Sequence, residues 1–180
     1  MQLTEPSRSR EARVKGGRTL ARGSIRCQRQ YRSCHTAGLT GKVVIVRRCK
    51  HGDAQAVLNL WVEERSGHAS TADRLEDVER LIEDSPAALL VAERGEEIVG
   101  ALIAGWDGWR GNMYRLAVGE KHRRQGVGMA LTRAGEEYLR GCGVRRITAL
   151  VAFDDDAAGA FWRAAGYPQD GEIGRRVRNL

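Results

Sequence analysis

A chain of 180 residues, 42% hydrophobic and 29% charged, is long enough for one core of ordinary size and short for two domains. Its longest uncharged runs, such as Ile98 to Trp106, fall far below the ~18 apolar residues of a membrane-crossing helix, so a membrane role is not expected. The formal charge of +7 sits at one end, with ten Lys or Arg against two acids in residues 1–42 and twenty against twenty-one in 43–180, so no nucleic-acid surface is expected on the folded part.

Residues 1–42 intersperse Arg with Ser, Gly, Gln and Thr and show no apolar period, which predicts a disordered basic N-terminal extension. Targeting, a polyanion-binding arm or a dispensable segment all fit that composition. The four cysteines form no C-x-x-C pair, and Cys34-His35 has no second close-spaced partner, which predicts a reduced, cytoplasmic protein without a metal site.

Order is expected from Val43, so residues 43–180 are read as one domain. Val43 to Val46 reads as a β-branched strand, and Asp53 as the cap of a helix with Ala56, Val57, Leu60 and Trp61 on its apolar face. Ser70 and Asp73 form a capping-box-like pair before a second helix through Leu75, Val78, Leu81 and Ile82, which Pro86 blocks. Three strands follow, Ala88 to Glu93, Ile98 to Trp106 and Asn112 to Val118. A helix from Gly126 carries Val127, Leu131, Ala134 and Tyr138 on one face and stops at Gly141, before a strand over Arg146 to Ala152. Aspartates 154–156 cap a last helix, and a short strand through Arg175 to Val177 closes the pattern. The order β-α-α-β-β-β-α-β-α-β predicts an α/β fold, a mixed central sheet with helices on both faces and a ligand crevice at parallel strand ends.

The informative stretch runs from Leu116 to Ala130, where a strand passes through a cationic turn into a helix that starts on glycine. First-turn N–H groups lack intrahelical acceptors and stand at the positive end of the helix dipole, so the turn suits an anion. A Walker loop would need Ser or Thr after Gly-Lys, and a dinucleotide fingerprint a third glycine where Leu131 stands; neither fits.

Arg123-Arg124-Gln125-Gly126-Val127-Gly128 instead resembles the coenzyme A motif of the GNAT superfamily of N-acetyltransferases, Arg/Gln-x-x-Gly-x-Gly/Ala. The resemblance extends to Val-Ile-Val-Arg-Arg with Gly52-Asp53, to Leu116-Ala117-Val118 and to Phe161-Trp162-Arg163-Ala164-Ala165-Gly166-Tyr167, covering about residues 43–170. It implies a splayed pair of parallel strands, Asn112–Val118 and Arg146–Ala152, that binds the cofactor. Leu116, Ala117 and Val118 would meet the pantetheine, Arg123, Arg124, Gln125, Gly126, Val127, Gly128 and Met129 the pyrophosphate, and Asp155 and Trp162 the far side of the crevice. The Val118 N–H would polarise the thioester carbonyl.

The chain departs from the family pattern at its proton-transfer positions. Asp155 and Trp162 stand where Asn and a Tyr acid are common, and an indole N–H has no useful acidity. Asn112 and Leu150 stand where relatives carry a Glu base. Asp107, Glu63 and Glu64 are the remaining acids near the expected cleft, with Asp107 and Asp155 carried as catalytic candidates beside Val118. His122 reads as a surface imidazole, Trp106 and Trp109 as either an acceptor wall or structural aromatics, and Cys142 lacks a His partner in the nearby sequence. The resemblance implies acetyl transfer from acetyl-CoA to a primary amine of a small molecule or peptide by direct attack, with a homodimer as one assembly open to it. The alternatives are an acyl-CoA-binding module that has lost turnover and a nucleic-acid binder built on the tail.

Overall fold

The computed structural model describes residues 34–37, 43–64, 72–83 and 87–172. The strands are β1 (Cys34–Ala37), β2 (Val43–Arg48), β3 (Ala88–Arg94), β4 (Glu97–Trp106), β5 (Gly111–Val118) and β6 (Ile147–Ala149). The helices are α1 (Ala54–Glu63), α2 (Leu75–Glu83), α3 (Val127–Gly141) and α4 (Asp156–Ala164). The strands lie side by side in chain order, antiparallel throughout except for the parallel pair β5 and β6.

Period-two alternation decides which helix covers which face. Ala88, Leu90 and Ala92 of β3, with Val44 and Val46 of β2, turn toward α3 and its Val127, Leu131, Ala134 and Tyr138, and Trp162 of α4 closes that layer. Leu89 and Val91, with Ala101 and Ala117, turn the other way onto Val57, Leu60 and Trp61 of α1 and Val78 of α2. Leu90, Leu102, Leu131 and Leu139 are fully buried, and truncating one such leucine costs about 2–5 kcal/mol.

Three expectations need correction. Residues 34–37, assigned to the disordered extension, pair with Val43 to Val46 as an added edge strand; the rest of residues 1–42, Ser70, Pro86 and the strand through Arg175 lie outside the described residues. Asp53 does not cap α1 through its side chain; it is drawn back to the Arg47 guanidinium, with contacts of 2.6 and 3.0 Å, and to the Lys50 N–H at 2.7 Å. Asp73 pairs with Arg115 at 2.5 Å, and its capping-box partner Ser70 lies outside the described residues, so that expectation is left as it stands. Cys142 is disulfide-bonded, against the reduced reading, while Cys49 is a free, buried thiol whose pKa burial pushes up to about 12.

The strand expected over Arg146 to Ala152 stops at Ala149, and that shortening makes the site. Its pairing with β5 covers only Gly111, Asn112 and Met113, while β5 runs on to Val118. The Thr148 hydroxyl closes the fork by donating to the Asn112 side-chain oxygen.

Candidate functional site

Beyond the fork, β5 carries one extra residue against β4: Ala101 faces Ala117 and Ile103 faces Tyr114, so three steps on β5 match two on β4. The bulge contains Arg115, with φ of 51°. A non-glycine residue in the left-handed region costs about 1–2 kcal/mol and persists only where its surroundings hold it. Here the Trp61 indole N–H donates to the Arg115 carbonyl at 3.0 Å and Asp73 takes the guanidinium.

Past the bulge, Gly119 N–H donates to Val99 O at 3.1 Å. Antiparallel alternation then turns the N–H and C=O of Val118 away from β4, to the side that β6 has already left. The Val118 carbonyl accepts from Arg123 Nε at 3.2 Å, which leaves its N–H facing the opening between the strands.

The turn itself is built for an anion by its backbone. Arg124 (φ 60°) and Gly126 (φ 81°) are both left-handed, and the first helical bond of α3 runs from Ala130 N–H to Gly126 O. The N–H groups of Val127, Gly128 and Met129 therefore have no acceptor in the helix and stand at its positive end. A Cβ at Gly126 would meet nothing within 4 Å, so glycine is needed there for its φ and for an open approach to those amides. Gly128 serves differently: a Cβ there would stand 3.2 Å from the Phe161 ring, so its missing side chain lets α4 pack on the start of α3.

The side chains of the turn alternate. Arg123 points back to Glu64 and Gln125 to Arg94 Nη1 at 2.7 Å and Lys121 O at 2.8 Å. Arg124 is exposed, with no hydrogen bond or ion pair among the described residues. His122 is not a free surface imidazole. Its Nδ1 lies 3.2 Å from Arg94 Nη1 and its Nε2 3.5 Å from Glu97, bracing the turn from beneath. The Nε and Nη2 atoms of Arg94 are buried without acceptors among the described residues, so positive charge lies next to the turn.

The other residues singled out in the sequence separate into two groups. Val118 and the turn from Arg123 to Met129 come together at the mouth of the fork, where a Cβ on Gly128 would stand 3.7 Å from the Val118 side chain; Ala117, expected beside the pantetheine, instead packs its side chain under α1 and pairs with Ala101 of β4. Asp155 caps α4 through Ala158 N–H at 2.9 Å. Trp162 is 7% exposed and stacks edge-on between Phe161 and Tyr167, at centroid distances of 5.4 and 5.1 Å, as a core residue. Tyr167 donates to Glu136 at 2.9 Å, and burial together with that carboxylate pushes its pKa up.

Asp107 is not brought to the mouth. It lies in the β4–β5 hairpin at the opposite end of β5 from Val118, about 20 Å away at ~3.3 Å per strand residue. Its Oδ1 accepts the N–H groups of Arg110 and Trp109 at 2.7 and 2.8 Å. Those two bonds, Arg110's first, hold its carboxyl below the usual range. Trp109 is exposed over that same hairpin, stacked on Arg110. Sequence reasoning missed Phe161 as the aromatic that meets α3; the signal for it was the smallness of residue 128. It also missed Glu64 as the partner of Arg123, for which no local pattern exists across 59 residues.

A mixed sheet that opens between two parallel strands, with the free amides of a helix start at the opening, defines an acyltransferase. The chain belongs to the acetyltransferase (GNAT) family, whose profile matches residues 54–167. An acetyltransferase of Sodalis glossinidius is 31% identical over 128 residues, covering 71% of this chain and 89% of that protein. One of Pectobacterium atrosepticum is 36% identical over 112 residues, covering 62% and 79%. Among solved structures, AAC(6')-Iy in complex with the bisubstrate analogue CoA-S-monomethyl-acetylneamine superposes with a TM-score of 0.63 at 18% identity, over 76% of this chain and 99% of that one. A transcriptional regulator from Bacillus halodurans C-125 superposes at 0.65 with 19% identity, over the same shares. At these identities the structures speak for the fold alone. Among the described residues no helix is long and apolar enough to cross a membrane, and no cluster of His, Cys, Asp or Glu could hold a metal ion.

Proposed function

We propose that the domain beginning with β1 is an N-acetyltransferase that moves an acetyl group from acetyl-CoA to a primary amine in a ternary complex. The observation that carries this reading is the set of N–H groups at Val127, Gly128 and Met129, which have no acceptor among the described residues, beside the outward N–H of Val118. The first set, with the Arg124 guanidinium, suits a pyrophosphate. The second lies where a thioester carbonyl would come to rest if the pantetheine paired with the free edge of β5 as an added strand. A donor aimed at a developing oxyanion is worth about 3 kcal/mol of barrier.

In this mechanism the chain's own groups hold and polarise. The neutral amine attacks the carbonyl, the C–N bond forms as the C–S bond breaks, the nitrogen sheds its surplus proton to water, and the thiolate takes a proton from water. The test is thiol release from acetyl-CoA across a panel of amines, including aminoglycosides, polyamines and peptides, with Gly126→Val as the control that removes cofactor binding. Release with any amine, lost in the control, supports the reading.

A second reading, an acyl-CoA-binding module without turnover, is favoured by one observation. Asn112 and Leu150 offer no base, and Trp162 no acid. Acetyl-CoA binding without thiol release in the whole panel would select it.

A further inference from the structure

We infer that Glu64 is a positioning residue for acetyl transfer, acting through Arg123 on the backbone of Val118; the inference rests on the acetyltransferase reading above. Glu64 follows the last turn of α1, and 11% of its side chain is exposed. Both oxygens are occupied. Oε1 accepts the Glu120 N–H at 2.9 Å, and Oε2 takes the Arg123 Nη2. A general base would have to give up these donors and a guanidinium before accepting a proton, so the geometry does not suit that role.

What the pair does is mechanical. With one end of its guanidinium fixed on Glu64, Arg123 presents Nε to the Val118 carbonyl at 3.2 Å. That carbonyl faces away from β4, and Arg123 is the donor it has among the described residues. Three residues back along the same face of α1, Trp61 holds the carbonyl of Arg115 at 3.0 Å. The segment from Arg115 to Val118, bent by its bulge, is thus tied to α1 at both ends, and the Val118 N–H between the two ties has little freedom to swing. A donor that needs no reorientation during reaction is the condition for effective oxyanion stabilisation. Arg123 accordingly belongs to the strut and not to the pyrophosphate contacts, which fall to the backbone amides and Arg124.

The test uses acetyl-CoA labelled with ¹³C at the thioester carbonyl, bound to the full chain and to its Glu64→Ala, Glu64→Gln and Arg123→Ala variants. Isotope-edited infrared spectroscopy reads the carbonyl stretch, and calorimetry reads the dissociation constant. The stretch is expected to fall on binding to the parent and, by an intermediate amount, to Glu64→Gln, whose single amide oxygen can keep the Arg123 donor only by giving up the Glu120 N–H. In Glu64→Ala and Arg123→Ala it is expected to return at least about half-way to the free value while affinity changes less than about threefold. Arg123 is half-exposed, so its variant retains a folded protein in which to look. A full downshift in both alanine variants overturns the inference, as does a loss of downshift matched by about tenfold weaker binding, which would make the pair a cofactor contact. A parent that binds acetyl-CoA with no downshift also overturns it, by removing the Val118 donor. A parent that does not bind acetyl-CoA overturns the acetyltransferase reading itself.

Discussion

The indole N–H of Trp61 donates to the carbonyl of Arg115 at 3.0 Å, so a core residue of α1 holds the single left-handed residue of β5. Trp61 is 5% exposed and would read as hydrophobic filling from its helical spacing alone. Trp61→Phe keeps most of that filling and removes the donor. Leaving the Arg115 carbonyl without its partner is expected to cost about 1–2 kcal/mol. For a domain of this size that lowers the melting temperature by roughly 2–8 °C, measurable by scanning calorimetry, and Trp61→Phe with unchanged Tm would mean the hydrogen bond contributes nothing.

The two glycines of the turn should respond differently to substitution. Gly126→Val places a β-branched residue at φ 81° and a side chain over the amides of Val127 to Met129, so coenzyme A affinity is expected to fall at least about a hundredfold. Gly128→Ala crowds the Phe161 ring at 3.2 Å, so it should cost stability, about 1–3 kcal/mol, with a smaller loss of affinity. Calorimetric titration and urea unfolding of both variants separate the two roles.

Arg47 binds Asp53 through two nitrogens and Glu93 through its Nε at 2.5 Å, joining β2, β3 and the turn before α1. The Arg47 hydrogen bond first, and then the Lys50 N–H, hold the Asp53 pKa below its ordinary value. A carboxyl with a depressed folded pKa contributes stability that is complete above its unfolded pKa, about 3.9, and is lost as pH falls through the folded value. Asp53→Asn should therefore cost about 2 kcal/mol at pH 7 and progressively less below pH 4. Urea midpoints from pH 7 to 2.5 give the comparison, and a constant gap across that range would contradict the linkage.

Much of the fold was legible because β3 and β4 are continuous apolar runs separated by the turn-like Arg94-Gly95-Glu96, the apolar stripes of α1 and α3 repeat at helical spacing, and Gly126 and Gly141 mark the limits of α3. The turn could be read as an anion site because backbone and dipole, which sequence fixes locally, supply its chemistry. What stayed hidden depends on long-range pairing. The bulge at Arg115 has no glycine to announce it, the strand after α3 ends at Ala149 although Leu150 and Val151 are good strand formers, and β1 lies inside a stretch with no apolar period. Asp53 looked like a cap because Asp favours helix starts, but Arg47 of β2 competes successfully for its carboxylate.

Asp107 stood out in the sequence as an acid at a strand end, and its place in the hairpin makes it a turn former. Asp107→Asn keeps an oxygen for the N–H groups of Trp109 and Arg110 and should leave thiol release within about twofold of the parent, with the same pH dependence. A loss of about tenfold or more, or an acidic limb that disappears in the variant, would restore it as a base.

Trp162→Phe should retain most activity, because the indole is buried between Phe161 and Tyr167 as packing and carries no proton that could be given to a leaving group. The substitution leaves a small void and should cost about 1–2 kcal/mol of stability. No enzyme acid is needed: a coenzyme A thiolate, with a thiol pKa of about 8.5, departs and takes its proton from water. No enzyme base is needed either if the amine arrives neutral and the nitrogen's surplus proton passes to water after attack, which accords with Asn112 being bonded to Thr148 and with Leu150 standing at the other base position. The rate at limiting amine should then climb about tenfold per pH unit until the acceptor is deprotonated, with its midpoint near 10 for a lysine-like amine and lower for a less basic one. Parent and Trp162→Phe should share that profile, and its midpoint should move with each acceptor's own pKa. A bell-shaped profile that stays in place across acceptors would instead require an acid–base pair in the protein, and Asp155, whose Oδ1 already caps α4, would be the first residue to replace.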